Sequence, residues 1–299
     1  MSVFDPKELQ KLKKGSELPE NGEITIIGGS DLFHGAPILS LRAASRVVDM
    51  VYFSSPEPSM SEVAVQLKSQ LSSFIWVPWE EVSDYVKKSQ AILIGPGMKR
   101  YRSEKGTSEQ VNKSNGSMTF DEAGTQTKFV VEKFLRQFPE KEWVIDGGAL
   151  QVLDESRIPI GSILTPNIKE FNLLFNIKNQ NENSKNAYQN VKMAEQVLGK
   201  AKEHNCTIVY KGPTTLVCSP DECVEIHGGN NGLTKGGTGD TLAGLTVALA
   251  ARNDPVLAAA AASWAVKRAA DELYQKVGTV YNADDLANRV SEVLGKYLR

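Results

Sequence analysis

The sequence predicts an α/β chain built on a doubly wound, mostly parallel central sheet flanked by helices, and three observations carry that prediction. Short apolar runs alternate with helix-spaced patterns along most of the length. The runs are continuously apolar and rich in Ile and Val, as strands covered on both faces must be. Just before a helical C-terminal stretch, three strand-like runs stand too close together for helices to fit between them, which predicts a short antiparallel meander.

The first strand is Glu23–Gly28, closed by glycines, and a helix follows over Pro37–Met50, with Ala36-Pro37 as its start. Val51–Ser54, Phe74–Val77, Ala91–Gly95, Trp143–Asp146 and Ser162–Thr165 are further strands, short, rich in Ile and Val and read as closed by Gly, Pro or Asp. Helices are expected over Asp121–Phe138, Ile168–Phe175 and Ala187–His204. Thr207–Lys211, Thr215–Ser219 and Cys223–His227 form the meander, turning at Gly212-Pro213 and Pro220-Asp221. Three helices then close the chain, Gly239–Arg252, Asp254–Lys276 and Asp284–Leu298. Lys178–Asn186 reads as a polar surface loop and Lys99–Gly116 as a loop or insertion. Residues 1–22 read as a polar N-terminal extension and 23–299 as one domain.

Composition narrows the function. The 299 residues are 41% hydrophobic and 23% charged, and 34 basic against 36 acidic side chains leave a net charge of -2. A nucleic-acid partner would require a basic excess or stripe, so none is expected; small-molecule chemistry is the starting point. No apolar stretch approaches the ~20 residues of a membrane helix, and the polar N-terminus has no leader pattern, so a cytoplasmic protein without a membrane partner is expected. Cys206, Cys218 and Cys223 are odd in number and lack C-x-x-C spacing, which reads as free thiols in a reducing compartment. The three histidines, His34, His204 and His227, have no zinc-site spacing.

The chemistry concentrates in Gly228–Gly244, GGNNGLTKGGTGDTLAG, between a strand and an alanine-rich helix. Gly236, Gly237 and Gly239 permit a tight turn that aims successive N–H groups at one point, and a helix N-terminus there favours an anion such as a phosphoryl group. Asp240 stands in the first turn of that helix. It is either a capping residue or the carboxylate that takes a proton from an attacking hydroxyl. The spacing fits neither a P-loop nor a dinucleotide fingerprint.

GGTGDTLAG resembles the G-[TA]-G-D signature of ribokinase-like enzymes. Four further segments resemble one branch of them, the ADP- or ATP-dependent NAD(P)H-hydrate dehydratases of the carbohydrate-kinase-domain type. Gly35-Ala36-Pro37 resembles their GAP segment, AILIGPG (residues 91–97) their IGPGLG turn, TPNIKEF (165–171) their TPHxxEF, and YKGPTT (210–215) their KG-x-x-T turn. The match runs in order over residues 24 to 290, too long for chance motifs.

The resemblance implies a ribokinase-like fold and a repair reaction that returns hydrated NADH and NADPH to NADH and NADPH, with ATP or ADP as phosphate donor and Mg2+ present. It implies Asp240 as the catalytic carboxylate, with Ala36, Gly97, Asn167 and Asp240 contacting the hydrated dinucleotide. Lys211, Gly212, Pro213, Thr214 and Thr215 would line the adenylate site, and Gly237, Thr238 and Gly239 would cradle the transferred phosphate. Glu170, three residues after Asn167, would support magnesium, and a homo-oligomer is expected. The helix N-terminus is expected to lower the pKa of Asp240.

Three departures fall on the dinucleotide side: GPGMK in place of GPGLG, Asn167 in place of the family histidine, and Asp146-Gly147-Gly148-Ala149-Leu150 in place of a D-A-D-A-L-like run. Two alternatives therefore stand beside the dehydratase. A small-molecule kinase resembling hydroxyethylthiazole kinase is favoured by the N-x-x-E spacing, and a non-catalytic nucleotide-binding relative is opposed by the intact GTGD. Lys99, Arg100 and Arg102 read as a phosphate grip or a solvated loop. His34 reads as a substrate contact or a turn residue, Trp76 and Trp79 as stacking or packing residues, and Lys235 as a phosphate ligand or a surface lysine.

Overall fold

The continuously apolar runs become the inner strands of a ten-stranded sheet, in a computed structural model that describes residues 1–12, 22–100, 122–177 and 187–297. Arg102 and both predicted surface loops, Lys178–Asn186 and all of Lys99–Gly116 beyond Arg100, lie outside the described residues. The strands are β1 (Ser2–Val3), β2 (Glu23–Ile27), β3 (Met50–Ser54), β4 (Ile75–Trp76), β5 (Ala91–Ile94), β6 (Glu142–Ile145), β7 (Ile163–Leu164), β8 (Thr207–Tyr210), β9 (Thr215–Cys218) and β10 (Cys223–Ile226). Their order is β1-β10-β9-β8-β7-β6-β5-β2-β3-β4, parallel except that β9 runs antiparallel to both β8 and β10. The expected meander is therefore β8-β9-β10.

The helices are α1 (Gly35–Ala44), α2 (Met60–Leu67), α3 (Val82–Lys88), α4 (Glu122–Gln137), α5 (Gly148–Val152), α6 (Ile168–Leu174), α7 (Ala187–His204), α8 (Thr238–Ala250), α9 (Pro255–Val277) and α10 (Ala283–Tyr297). Alternate strand residues feed two cores. Ile24, Ile26, Ala91 and Leu93 pack with α1, α2, α8, α9 and α10, whereas Ile27, Ile92 and Ile94 pack with α3, α4, α5, α6 and α7. This is double winding, with helices covering both faces of one sheet. Ala258 to Ala262 are all buried, and such small side chains bring α9 close to its neighbours. Asp254 caps α9 through Val256 N at 2.9 Å and Leu257 N at 3.2 Å, with Pro255 in the first turn.

Four expectations need correction. The first helix ends at Ala44 instead of Met50, because residues 45–49 turn tightly, the Val47 and Val48 amides both bonding Ala44 O, to feed β3. The short α2, α3 and α5 were not anticipated. The N-terminal segment adds β1 to the sheet edge beside β10 and buries Leu9 and Leu12. Cys218 and Cys223 are not free thiols: they face each other across β9 and β10 and form a disulfide, leaving Cys206 buried and free. Among the described residues, no helix is long and apolar enough to cross a membrane.

Strand order reverses between β2 and β5, since the chain proceeds from β2 through β3 to β4 on one side and from β5 through β8 on the other. The crevice outside the carboxyl ends of strands at such a switch point is where open α/β sheets bind ligands. Glycine turns line it: Gly29 N donates to Pro96 O at 2.8 Å, and Gly97 lies at φ +70°.

Candidate active site

The strand ends and the start of α8 bring four ionisable groups together. Lys211, just after β8, donates from Nζ to Asp146 Oδ1 at 2.9 Å and lies 3.8 Å from Glu170 Oε2. Asp146, at the end of β6, also accepts from Thr165 Oγ1 at 2.7 Å and is 2% exposed. Asp240, in the first turn of α8, completes the set. Burial opposes the charge of Lys211, yet Asp146 and Glu170, with Asp240 behind them, hold its pKa above the ordinary lysine value.

The expectation for Asp240 is overturned in sign. Burial, followed by the negative charge of Asp146, raises its pKa to about 7, against the pull of Lys211 and of its own backbone N–H. Desolvation outweighs the helix N-terminus here. Capping does not account for Asp240 either: α8 is capped at Gly237, in the left-handed region at φ +91°, and no side chain caps that end. The Asp240 carbonyl instead accepts from Ser40 Oγ at 2.8 Å, which ties the start of α8 to α1.

A cavity of about 530 Å³ opens on one side of this helix start. Lys211, Gly212, Pro213 and Thr215 line it from the turn after β8, Asn167 from the start of α6, and Thr238 and Gly239 from the start of α8. A Cβ on Gly239 would sit 3.3 Å from Lys211 Nζ, so that ammonium stands against the bare backbone of the glycine turn. Thr214 belongs to the same turn without lining the cavity, and Gly237 packs against Leu39 and Ala283. A Cβ on Gly97 would lie 3.2 Å from Ala36 Cβ and 2.4 Å from Phe33 O. Ala36 and Gly97 are therefore neighbours, at the start of the helix that Ser40 joins to Asp240.

Asn167 and Glu170 have a further task. Asn167 Oδ1 accepts from Lys169 N at 2.9 Å and Glu170 N at 3.0 Å, while Glu170 Oε2 accepts from Asn167 N at 2.9 Å: a capping box that starts α6. Glu170 Oε1 accepts from Gln151 Nε2 at 3.3 Å, and burial raises its pKa. Among the described residues no group of three or more Asp, Glu, His or Cys side chains could hold a metal, so an all-protein cage is absent.

Sequence reasoning passed over Asp146, treating it as a strand stop. Its place at the carboxyl end of a parallel strand, one strand from the TPN segment, was the available signal. Lys99 pairs with Asp31 at 2.6 Å, and Arg100 donates to Gln151 at 3.3 Å. Trp76 packs edge-on to Phe53, and Trp79 packs on Phe134. His34 precedes α1 without a side-chain cap bond. Lys235 donates to the carbonyls of Thr279 and Tyr281, at 2.5 and 2.6 Å, and so fastens the α9–α10 link.

This architecture is that of the ribokinase-like class. A ribokinase-like superfamily protein of Enterococcus faecalis superposes with a TM-score of 0.77 at 20% identity, covering 99% of this chain and 96% of the other. The ADP/ATP-dependent NAD(P)H-hydrate dehydratase of Bacillus subtilis, co-crystallised with ATP and Mg2+, superposes at 0.75 with 22% identity, covering 99% and 98%. The NAD(P)H-hydrate dehydratase family model matches residues 24–292, and the chain belongs to that family. It is 31% identical over 292 residues to the bifunctional NAD(P)H-hydrate repair enzyme of Methanocaldococcus jannaschii, covering 97% of this chain and 51% of that protein. It thus spans about half the length of that relative. An ADP-dependent (S)-NAD(P)H-hydrate dehydratase of Nitrosopumilus maritimus is 28% identical over 304 residues, covering 97% and 93%.

Proposed function

We propose that this chain dehydrates (6S)-NADHX and (6S)-NADPHX to NADH and NADPH, with ATP or ADP as phosphate donor. The observation that carries the reading is the place of Asp240, next in the chain to the cavity-lining Thr238 and Gly239 and tied through Ser40 Oγ to the helix that begins at Gly35-Ala36. The nucleotide occupies the cavity with its terminal phosphate at the start of α8, where free backbone N–H groups and the helix dipole favour an anion. The hydrated ring enters from the Ala36 and Gly97 side.

The ring hydroxyl attacks the terminal phosphorus, the bond to the bridging oxygen breaks, and ADP or AMP leaves. Asp240 accepts the hydroxyl proton, and a carboxylate with a pKa near 7 is better matched to that task than an ordinary aspartate. Lys211 balances charge at the start of α8. The phosphate ester then loses phosphate and a ring proton, which restores the dihydronicotinamide. Phosphorylation is needed because hydroxide leaves poorly and phosphate leaves well.

Magnesium keeps several waters and binds through one or two carboxylates plus phosphate oxygens. Glu170, behind the cavity-lining Asn167 and Lys211, would hold a phosphate-borne ion only through water, since its Oε2 and Oε1 already accept from Asn167 N and Gln151 Nε2. When bound, the ion neutralises the bridging phosphates. A homo-oligomer in the cytoplasm belongs to the same proposal.

The test is turnover of (6S)-NADHX with magnesium and either nucleotide, followed by reduced-nicotinamide absorbance, beside Asp240→Asn. Nucleotide-dependent recovery of NADH that the variant loses supports the reading. A stable phosphorylated product points to a kinase, and ADP binding without turnover to a non-catalytic relative. The N-x-x-E spacing that favoured the kinase is already accounted for by the capping box.

A further inference from the structure

Lys267, in the middle of α9, is 5% exposed and lines the cavity, yet among the described residues it hydrogen-bonds to carbonyls and to no carboxylate. Its ammonium spends all three N–H donors on backbone carbonyls: Pro213 O at 2.6 Å, Gly228 O at 3.0 Å and Gly212 O at 3.2 Å. Two of these belong to the turn after β8 and the third to the glycine-rich segment after β10. One turn along the same helix face, Asp271 reads the opposite polarity. Its Oδ2 accepts from Gly229 N at 3.0 Å and its Oδ1 from Asn230 Nδ2 at 3.3 Å.

The glycines permit the approach. A Cβ on Gly229 would lie 3.2 Å from Lys267 Cγ, and one on Gly228 would lie 3.0 Å from Asp271 Oδ2. Burying a lysine among neutral carbonyls is costly, and burial lowers its pKa to about 8 against the opposing effect of Asp271. A methionine would fill the same space without that cost, so the charge calls for an explanation beyond packing.

We infer that Lys267 is a positioning residue for the nucleotide: it ties the Lys211–Thr215 turn to the Gly228–Gly232 segment, so that both walls of the cavity are set before the nucleotide arrives. The inference rests on the reading that this cavity takes the nucleotide. With every N–H engaged, Lys267 acts on the ligand only through the two walls, whereas Lys211 stands at the phosphate end. Presetting two segments removes an ordering cost that binding would otherwise carry. The effect should therefore fall on nucleotide affinity and spare the dinucleotide side.

Lys267→Met keeps the stem and removes the donors, and Lys267→Arg restores donors. Calorimetric ADP binding and separate KM values for nucleotide and (6S)-NADHX read the effect, with thermal unfolding as the check on folding. For Lys267→Met the expected result is ADP affinity weakened about tenfold, with nucleotide KM rising in parallel and dinucleotide KM unmoved. Lys267→Arg should recover part of the loss. Should Lys267→Met not fold, Lys267→Gln, which keeps an amide donor, is read by the same criteria. ADP binding within twofold of wild type overturns the inference, as does an equal rise in both KM values with a lowered Tm. Failure of the wild-type protein itself to bind ADP removes the reading of the cavity, and the inference with it; wild-type binding without turnover leaves the ADP measurement decisive.

Discussion

Lys211 and Asp146 meet at 2.9 Å at the base of the site, and the carboxylate is held a second time by Thr165 at 2.7 Å. The pair fixes an ammonium against the glycine backbone at the start of α8, within the influence of Asp240. Breaking it would leave Lys211, among the described residues, with the longer contact to Glu170.

Asp146→Ala should therefore damage function and stability together. Removing one partner of a buried pair costs about 3–5 kcal/mol when nothing replaces it. Because Glu170 remains 3.8 Å from Lys211, a loss nearer about 2–3 kcal/mol in urea unfolding is expected. Turnover should fall by about tenfold or more, as Lys211 is no longer held at the helix start.

Asp240 should shape the pH profile. Below about 7 it is protonated and cannot accept the substrate proton, so kcat should rise through an acid limb near that pH. Asp240→Asn should abolish turnover at every pH. A limb near pH 4 in the wild-type protein would contradict the raised pKa.

The same carboxylate links stability to pH with a definite sign. Its folded pKa lies above the ordinary 3.8, so between about 4 and 7 the folded state binds more protons than the unfolded state. Stability contributed by this group therefore falls as pH rises through that window. Asp240→Asn escapes the loss and should be the more stable protein at pH 8, by up to a few kcal/mol. The two melting curves should converge near pH 4.

Asn167→Ala tests the capping box when read by stability alone, since Asn167 also lines the cavity. Loss of Oδ1 leaves the amides of Lys169 and Glu170 without their partner, which should cost about 1 kcal/mol in urea unfolding. Asn167→Asp keeps the acceptor and should restore most of it.

Gly237→Ala asks whether the helix start tolerates a side chain. The position lies at φ +91°, where an L-residue costs about 1–2 kcal/mol, and a Cβ would meet Leu39 Cδ1 at 2.3 Å. Lower stability and weaker ADP binding are expected, measured by unfolding and calorimetry.

The sequence made legible whatever was written in local pattern. The apolar runs of β2, β3, β5 and β6 and the caps around α9 were visible because each is decided by neighbours in the chain. The five residues of α5 are too few for a helical period to show, and α3 spans only two turns. The disulfide depended on the register of β9 against β10, which places Cys218 opposite Cys223. The glycine turn, Asp240, Lys211, Ala36 and Gly97 were singled out from their motifs. Lys267 and Asp271 were not, because a buried lysine on an alanine-rich helix has no signature until its carbonyl partners are placed. The pKa of Asp240 was misjudged for a related reason: the helix terminus is visible in sequence, while desolvation and Asp146 are not.

The Ser40–Asp240 hydrogen bond joins residues 200 positions apart. During synthesis, α1 is made early and waits without its main packing partner until α8 emerges, roughly four fifths of the way along the chain. Closing so long a loop is entropically unfavourable, so α1 and α8 should dock late in folding. A chain interrupted before α8 would leave the apolar face of α1 uncovered, a ready target for chaperones and proteases.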